Sequence, residues 1–140
     1  MKSPLSADES LQKYNRFWQL WRERAWFECH EVLEDLWRET PGCERWFLNG
    51  LIHLAVARYQ HERGNANGAA RQWTRARTKL EPFRPRYDYC GDGHVVDVND
   101  LLEEAEREIA VSLLQLNGSQ RAALELVEHH ARSRIQADFA

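Results

Sequence analysis

Apolar residues fall at helical intervals along most of the chain. Leu11, Tyr14, Phe17, Trp18 and Trp21 recur every three or four positions, which predicts a first helix over about residues 8–23 with Ser6 or Asp8 as its cap. A second stripe through Trp26, Cys29, Leu33 and Trp37 predicts another helix that stops before Pro41 and Gly42. Proline disfavours helix in the residue ahead of it, and glycine permits a tight turn. From Glu44 to Arg63 the pattern changes, because between Trp46 and Tyr59 the strongly polar residues are Asn49, His53 and Arg58 alone. A helix apolar nearly all round has to be enclosed, so residues 44–63 are expected at the centre of a bundle. Gly64 is a candidate left-handed terminator, and Ala69, Ala70, Trp73, Ala76 and Leu80 mark the inner face of a fourth helix with room for close packing.

Residues 81–97 carry Pro82, Pro85, Gly91 and Gly93 and show no period, which predicts a long irregular connection, a candidate lid. Asp97, Asn99 or Asp100 then caps a fifth helix through Leu101, Leu102, Ala105, Ile109 and Leu113 to Asn117-Gly118. Ser119 caps a last helix with Ala123, Leu124, Val127, Ala131 and Ile135 on one face, so C-terminal helices occupy about residues 99–137. No strand-like alternation survives. The expected architecture is one all-α domain over residues 1–140, a bundle of five to six helices around the apolar helix at 44–63.

Polar residues on the inner faces are the candidate chemistry. At about 100° per residue, His30 and Glu34 of the second helix lie within the arc that holds Trp26, Cys29, Leu33 and Trp37, while Glu28, Asp35 and Arg38 belong to the wet side. On the third helix Asn49, His53 and Gln60 form one narrow stripe. Helices joined by a short turn pack antiparallel, so each polar set is the most economical partner of the other. The expected cluster at this interface is His30, Glu34, Asn49 and His53; Glu31 of the same His-Glu motif is counted with it as a candidate, although the projection puts it on the wet side. Glu34→Ala would then strand a buried partner and cost several kcal/mol.

Three chemistries suit such a cluster. A hydrogen-bonded lock fixes helix register; a solvated pocket uses the same groups as acid and base; a facial set of His30, Glu34 and His53 binds zinc or iron with positions left for water. The motif is His-Glu-x-x-Glu and not the His-Glu-x-x-His of zinc proteases, so one helix supplies two ligands at most. Cys29-His30 with Cys90 and His94 is a weaker zinc set, and Cys29 is a poor nucleophile candidate because adjacent helical residues diverge. Trp26, Trp37 and Trp46 read as core or as the wall of an aromatic pocket.

Composition narrows the class. Hydrophobic residues make up 43% and charged residues 29% of 140, which is globular, and six Trp are a heavy aromatic load for one small core. That load makes a homodimer an expectation. A net charge of −3 gives no general attraction for a phosphate backbone, so nucleic acid is not an expected partner. Three irregularly spaced cysteines suit free thiols in a reducing compartment. With no signal-like apolar core near Met1 and no long apolar run, the expectation is a cytoplasmic protein without membrane contact.

Phe27-Glu28-Cys29-His30-Glu31-Val32-Leu33-Glu34-Asp35-Leu36-Trp37, then Asn49-Gly50-Leu51-Ile52-His53-Leu54-Ala55, then Gly64-Asn65 with Gly68-Ala69, resemble the domain of unknown function 309 family over roughly residues 12–103. The resemblance implies an all-α bundle and no particular reaction. It departs in three places: Trp21 to Ala25 replaces an asparagine and glycine ahead of the first motif, His53 stands where the family more often has glutamine, and His94-Val95-Val96 interrupts a glycine-led pattern. Glutamine is a poor metal ligand, so a site requiring His53 would not be a family trait. Two functions therefore remain: a helical module that binds an unknown small molecule or protein partner, and a metal-assisted hydrolase acting through His30, Glu34 and His53. Whether the chain is an enzyme stays open.

Overall fold

The computed structural model describes residues 5–91 and 93–139, the side chains of Cys90 and residues 137–139 excepted. Within them six α-helices run in chain order: α1 (Ala7–Arg22), α2 (Trp26–Arg38), α3 (Gly42–Glu62), α4 (Ala66–Leu80), α5 (Val98–Leu114) and α6 (Gly118–Phe139). Their starts follow local chemistry. The Ser6 hydroxyl accepts from the Glu9 amide while Glu9 reaches back to the Ser6 amide, a reciprocal cap for α1. Asn65 accepts from the Gly68 amide at 2.9 Å and Asp97 from the Asp100 amide at 2.9 Å, capping α4 and α5. The α6 cap is Asn117 and not Ser119: its Oδ1 accepts from the Gln120 amide at 2.8 Å, and Gln120 answers on the Asn117 amide at 3.0 Å.

α3 occupies the centre, in contact with α2, α4, α5 and α6. Phe47, Leu48, Leu51, Leu54, Ala55 and Ala57 are fully enclosed, as the apolar circumference requires. Arg58 comes in with them at 1% exposure. Its guanidinium lies 4.7 Å from the ring centroid of Trp26 and 5.1 Å from that of Trp21, and α5 supplies Glu108 at 3.4 Å and Glu104 at 3.6 Å. A desolvated charge is tolerable only with such partners.

The segment 81–97 departs from an irregular loop. Arg86–Asp88 (β1) pairs antiparallel with Val95–Asp97 (β2), Arg86 opposite Asp97, in a two-stranded ribbon. A three-residue strand has too few positions to show an alternation, which is why no strand was expected. Aromatic contacts pin the segment to the bundle: Phe83, Tyr87 and Tyr89 lie 5.3, 4.7 and 6.1 Å from Phe47, and Tyr89 stacks on Tyr14 of α1 at 4.5 Å. No helix among the described residues is long and apolar enough to cross a membrane.

α3 and α4 approach closely at Gly50. A Cβ added there would stand 2.6 Å from Leu80 Cγ and 2.7 Å from its Cδ2. Gly50→Ala is therefore expected to cost about 1–3 kcal/mol by overpacking. Leu80→Ala should recover part of that loss, so a urea titration of the double variant should fall short of the sum of the singles.

Candidate functional site: a cationic cleft between α3, α4 and α6

Helical spacing sets up the site from two sides. Asn49 and His53 stand one turn apart on α3, and Arg71, Arg75 and Lys79 repeat every four residues on α4, so each set lies along one face. α6 completes the enclosure with Val127, His130, Ala131 and Arg134 at three- and four-residue steps. Together with Trp37, Arg45 and Trp46 these side chains border a cleft of about 930 Å³.

At its inner wall lies Lys79, 7% exposed, beside Asn49 at 8%. The Lys79 ammonium donates to Asn49 Oδ1 at 2.5 Å and meets His53 Nε2 at 3.0 Å. The other ring nitrogen, Nδ1, lies 2.6 Å from Gln72 Oε1. An amide oxygen only accepts, so Nδ1 carries the imidazole proton and Nε2 presents its lone pair to Lys79. Burial, then the Lys79 charge, push the His53 pKa down to about 3, and Gln72 only partly opposes them. Burial, then Arg134 and Arg75, lower that of Lys79 to about 8. Arg75 is shifted down as well, by burial and by Arg71. Among the described residues no carboxylate pairs with Arg45, Arg71, Arg75, Lys79 or Arg134, and none borders the cleft.

The expected two-helix lock does not form. His30 Nδ1 bonds to the Phe27 carbonyl, and Nε2 lies 3.8 Å from a Glu34 carboxylate that also accepts from Arg38 at 3.2 Å. Glu31 is exposed. The helical projection located the correct arc but not which part of it α3 would cover: α2 buries Trp26, Cys29, Leu33 and Leu36, while the Asn49–His53 stripe turns toward α4. His30, Glu34 and His53 are not gathered, and among the described residues no three His, Cys, Asp or Glu side chains lie close enough to hold a metal ion. With Glu34 37% exposed, Glu34→Ala removes a surface pair worth about 1 kcal/mol or less, not several.

The remaining candidates divide by burial. Trp26 is core, its indole N–H donating to Glu62 at 3.0 Å. Trp37 and Trp46 border the cleft, with Arg45 4.3 Å over the Trp37 ring and Lys79 5.5 Å from that of Trp46. Burial raises the Cys29 thiol to about 12, which leaves it inert. The Cys90 side chain lies outside the described residues. The described residues of segment 81–97 do not border the cleft. The Arg71, Arg75, Lys79 series was visible in the sequence as cations at four-residue intervals. It reads as an ordinary wet face until α6 is laid beside it.

Residues 14–72 match the family model described as Domain of unknown function (DUF309). Over that stretch the chain is similar to DUF309 proteins. The uncharacterized protein YpuF of Bacillus subtilis (strain 168) is 51% identical over 49 residues, which cover 34% of this chain and 28% of YpuF. The matched stretch is thus less than a third of that relative's length. No solved structure matches the chain. The DUF309 match is shorter than the 12–103 expected from the motifs, and it cuts through the site. Arg45, Asn49, His53, Arg71 and Gln72 fall inside it, whereas Arg75, Lys79, His130 and Arg134 lie beyond.

The neutral His53 makes a pH prediction. Its folded pKa of about 3 lies below the ordinary 6.5, so in that window the unfolded chain binds the proton first and stability falls as pH falls. The loss should reach up to about 1.4 kcal/mol per pH unit. Urea melts across the window should show wild type losing stability relative to His53→Gln. Parallel curves would mean that His53 is not held neutral.

Proposed function

We propose that the chain is a binding domain for a small anionic molecule, a phosphorylated or carboxylated compound, taken up between α3, α4 and α6. Lys79 carries this reading. It is a buried cation whose hydrogen-bond partners among the described residues are the neutral Asn49 and His53, in a cleft that it shares with Arg45, Arg71, Arg75 and Arg134. Desolvating a charge without a counter-charge costs free energy, and mutually repelling cations add to that cost. An anion with two or more charges offsets both. A volume of about 930 Å³ lies in the range of small-molecule sites, roughly 300–1,000 Å³. Trp37 and Trp46 supply apolar wall for the uncharged part of such a ligand. The net charge of −3 favours a small anion over a nucleic acid, because attraction is confined to the cleft.

Inorganic phosphate and pyrophosphate test this at constant ionic strength, with sodium chloride as the reference. At about 100 times Kd an anion bound to the folded state alone stabilises by about 2.7 kcal/mol, roughly 10 °C in Tm for a domain of this size. Lys79→Met is expected to weaken the anion effect, the arginines remaining, while costing the free protein less than about 1 kcal/mol, since it removes an unpaired buried charge. No rise beyond chloride, or an undiminished rise in the variant, overturns the reading.

A further inference from the structure

Lysine is scarce in this chain. Of 19 basic residues three are lysines, Lys2, Lys13 and Lys79, and the other 16 are arginines. Every other permanently charged cation bordering the cleft is an arginine, yet the most enclosed position holds a lysine. If holding an anion were the whole task, a fork of guanidinium donors would suit it better. An ammonium can do what a guanidinium cannot, which is to lose its proton and expose a lone pair.

Asn49 Oδ1 and His53 Nε2 take two of the three outer tetrahedral positions on Lys79 Nζ. A neutral amine has two hydrogens, and these two acceptors match them, leaving the third position for the nitrogen lone pair. We propose that Lys79 is a nucleophile that forms an imine with a small anionic carbonyl compound, a 2-oxo acid being the simplest of the class. This rests on the reading that the cleft holds anions. Arginines bind the carboxylate, so Lys79 is free for the carbonyl carbon.

In the first step the Nζ lone pair bonds to the carbonyl carbon, and the C=O π pair moves onto oxygen. The added nitrogen is acidic, and His53 Nε2 at 3.0 Å takes its proton and returns it to that oxygen, giving the carbinolamine. Loss of the hydroxyl with the remaining N–H hydrogen forms C=N and releases water. Amine and carbonyl become imine and water, with no oxidant or reductant.

Burial and neighbouring cations bring the Lys79 pKa to about 8, so a large share of the amine is neutral near that pH. The titratable and charged groups around it are Arg45 and His53 on α3, Arg71 and Arg75 on α4, and His130 and Arg134 on α6. The arginines favour the neutral amine, and His53, already neutral, adds no charge.

Borohydride trapping tests the proposal. The full chain is incubated with pyruvate, reduced, and mapped by peptide mass. The reduced adduct is expected on Lys79 on the order of tenfold above Lys13, because the cleft arginines hold the carboxylate beside Lys79 and raise the local concentration of the carbonyl. Labelling should rise as pH passes about 8, fall when phosphate competes, slow in His53→Gln and vanish in Lys79→Arg. The phosphate-induced rise in Tm of the wild-type chain is read in parallel, which separates nucleophile from anion holder. Adduct spread evenly over the lysines, or none on Lys79 while phosphate still stabilises wild type, overturns the nucleophile and leaves the binding cleft standing. Absence of both effects overturns the cleft itself.

Discussion

The structure depends on the burial of a helix with no wet side. α3 is apolar around nearly its whole circumference, so α2, α4, α5 and α6 are all drawn onto it. Enclosure of that kind decides the fate of every polar group on the helix. Water is excluded, and a hydrogen-bonding or charged group must be answered from a neighbouring element or leave the fold at a loss of several kcal/mol. Asn49, His53 and Arg58 are the residues on which this constraint falls, and the helices around α3 are arranged by how they answer it.

Among the described residues two cations are buried in consequence, with opposite electrostatic closure. Arg58 brings its charge from α3 itself and finds Glu104 and Glu108 on α5, with the indoles of Trp21 and Trp26 against its guanidinium. Its charge is neutralised within the chain, and it closes the core. Lys79 approaches from α4 and finds an amide oxygen and an imidazole nitrogen. Those groups satisfy hydrogen bonding without supplying charge. The excess falls where the helices leave a cleft, which ties an electrostatic deficit to an available volume.

That deficit is local. The chain as a whole carries −3, and the carboxylates among the described residues stand outside the cleft. A composition-level charge describes the far field, whereas a ligand in the cleft experiences only the nearest groups across a low-dielectric wall. The DUF309 match supplies α3 and the first cations, while Lys79 and the α6 wall fall outside the matched residues. The electrostatic character of the site is thus set jointly by the matched segment and by the helices C-terminal to it.

Periodicity was sufficient for the helices, the central place of α3 and the all-α class, because apolar spacing at 3.6 residues is a local property that burial then enforces. Glycine and capping chemistry located several ends for the same reason: Ser6, Gly64 with φ of +76°, and Asp97 act within a few residues of themselves. Partners were not legible. Asn49 and His53 were identifiable as polar residues on a buried helix, but the sequence allowed α2 or α4 to face them, and the crossing of α3 with α4 chose Lys79 and Gln72 over His30 and Glu34. Arg58 was equally silent until α5 brought Glu104 and Glu108 beside it. Spacing defines which side chains share one face of one helix; only packing selects which face meets which, and a charged cleft exists only once three such faces have met.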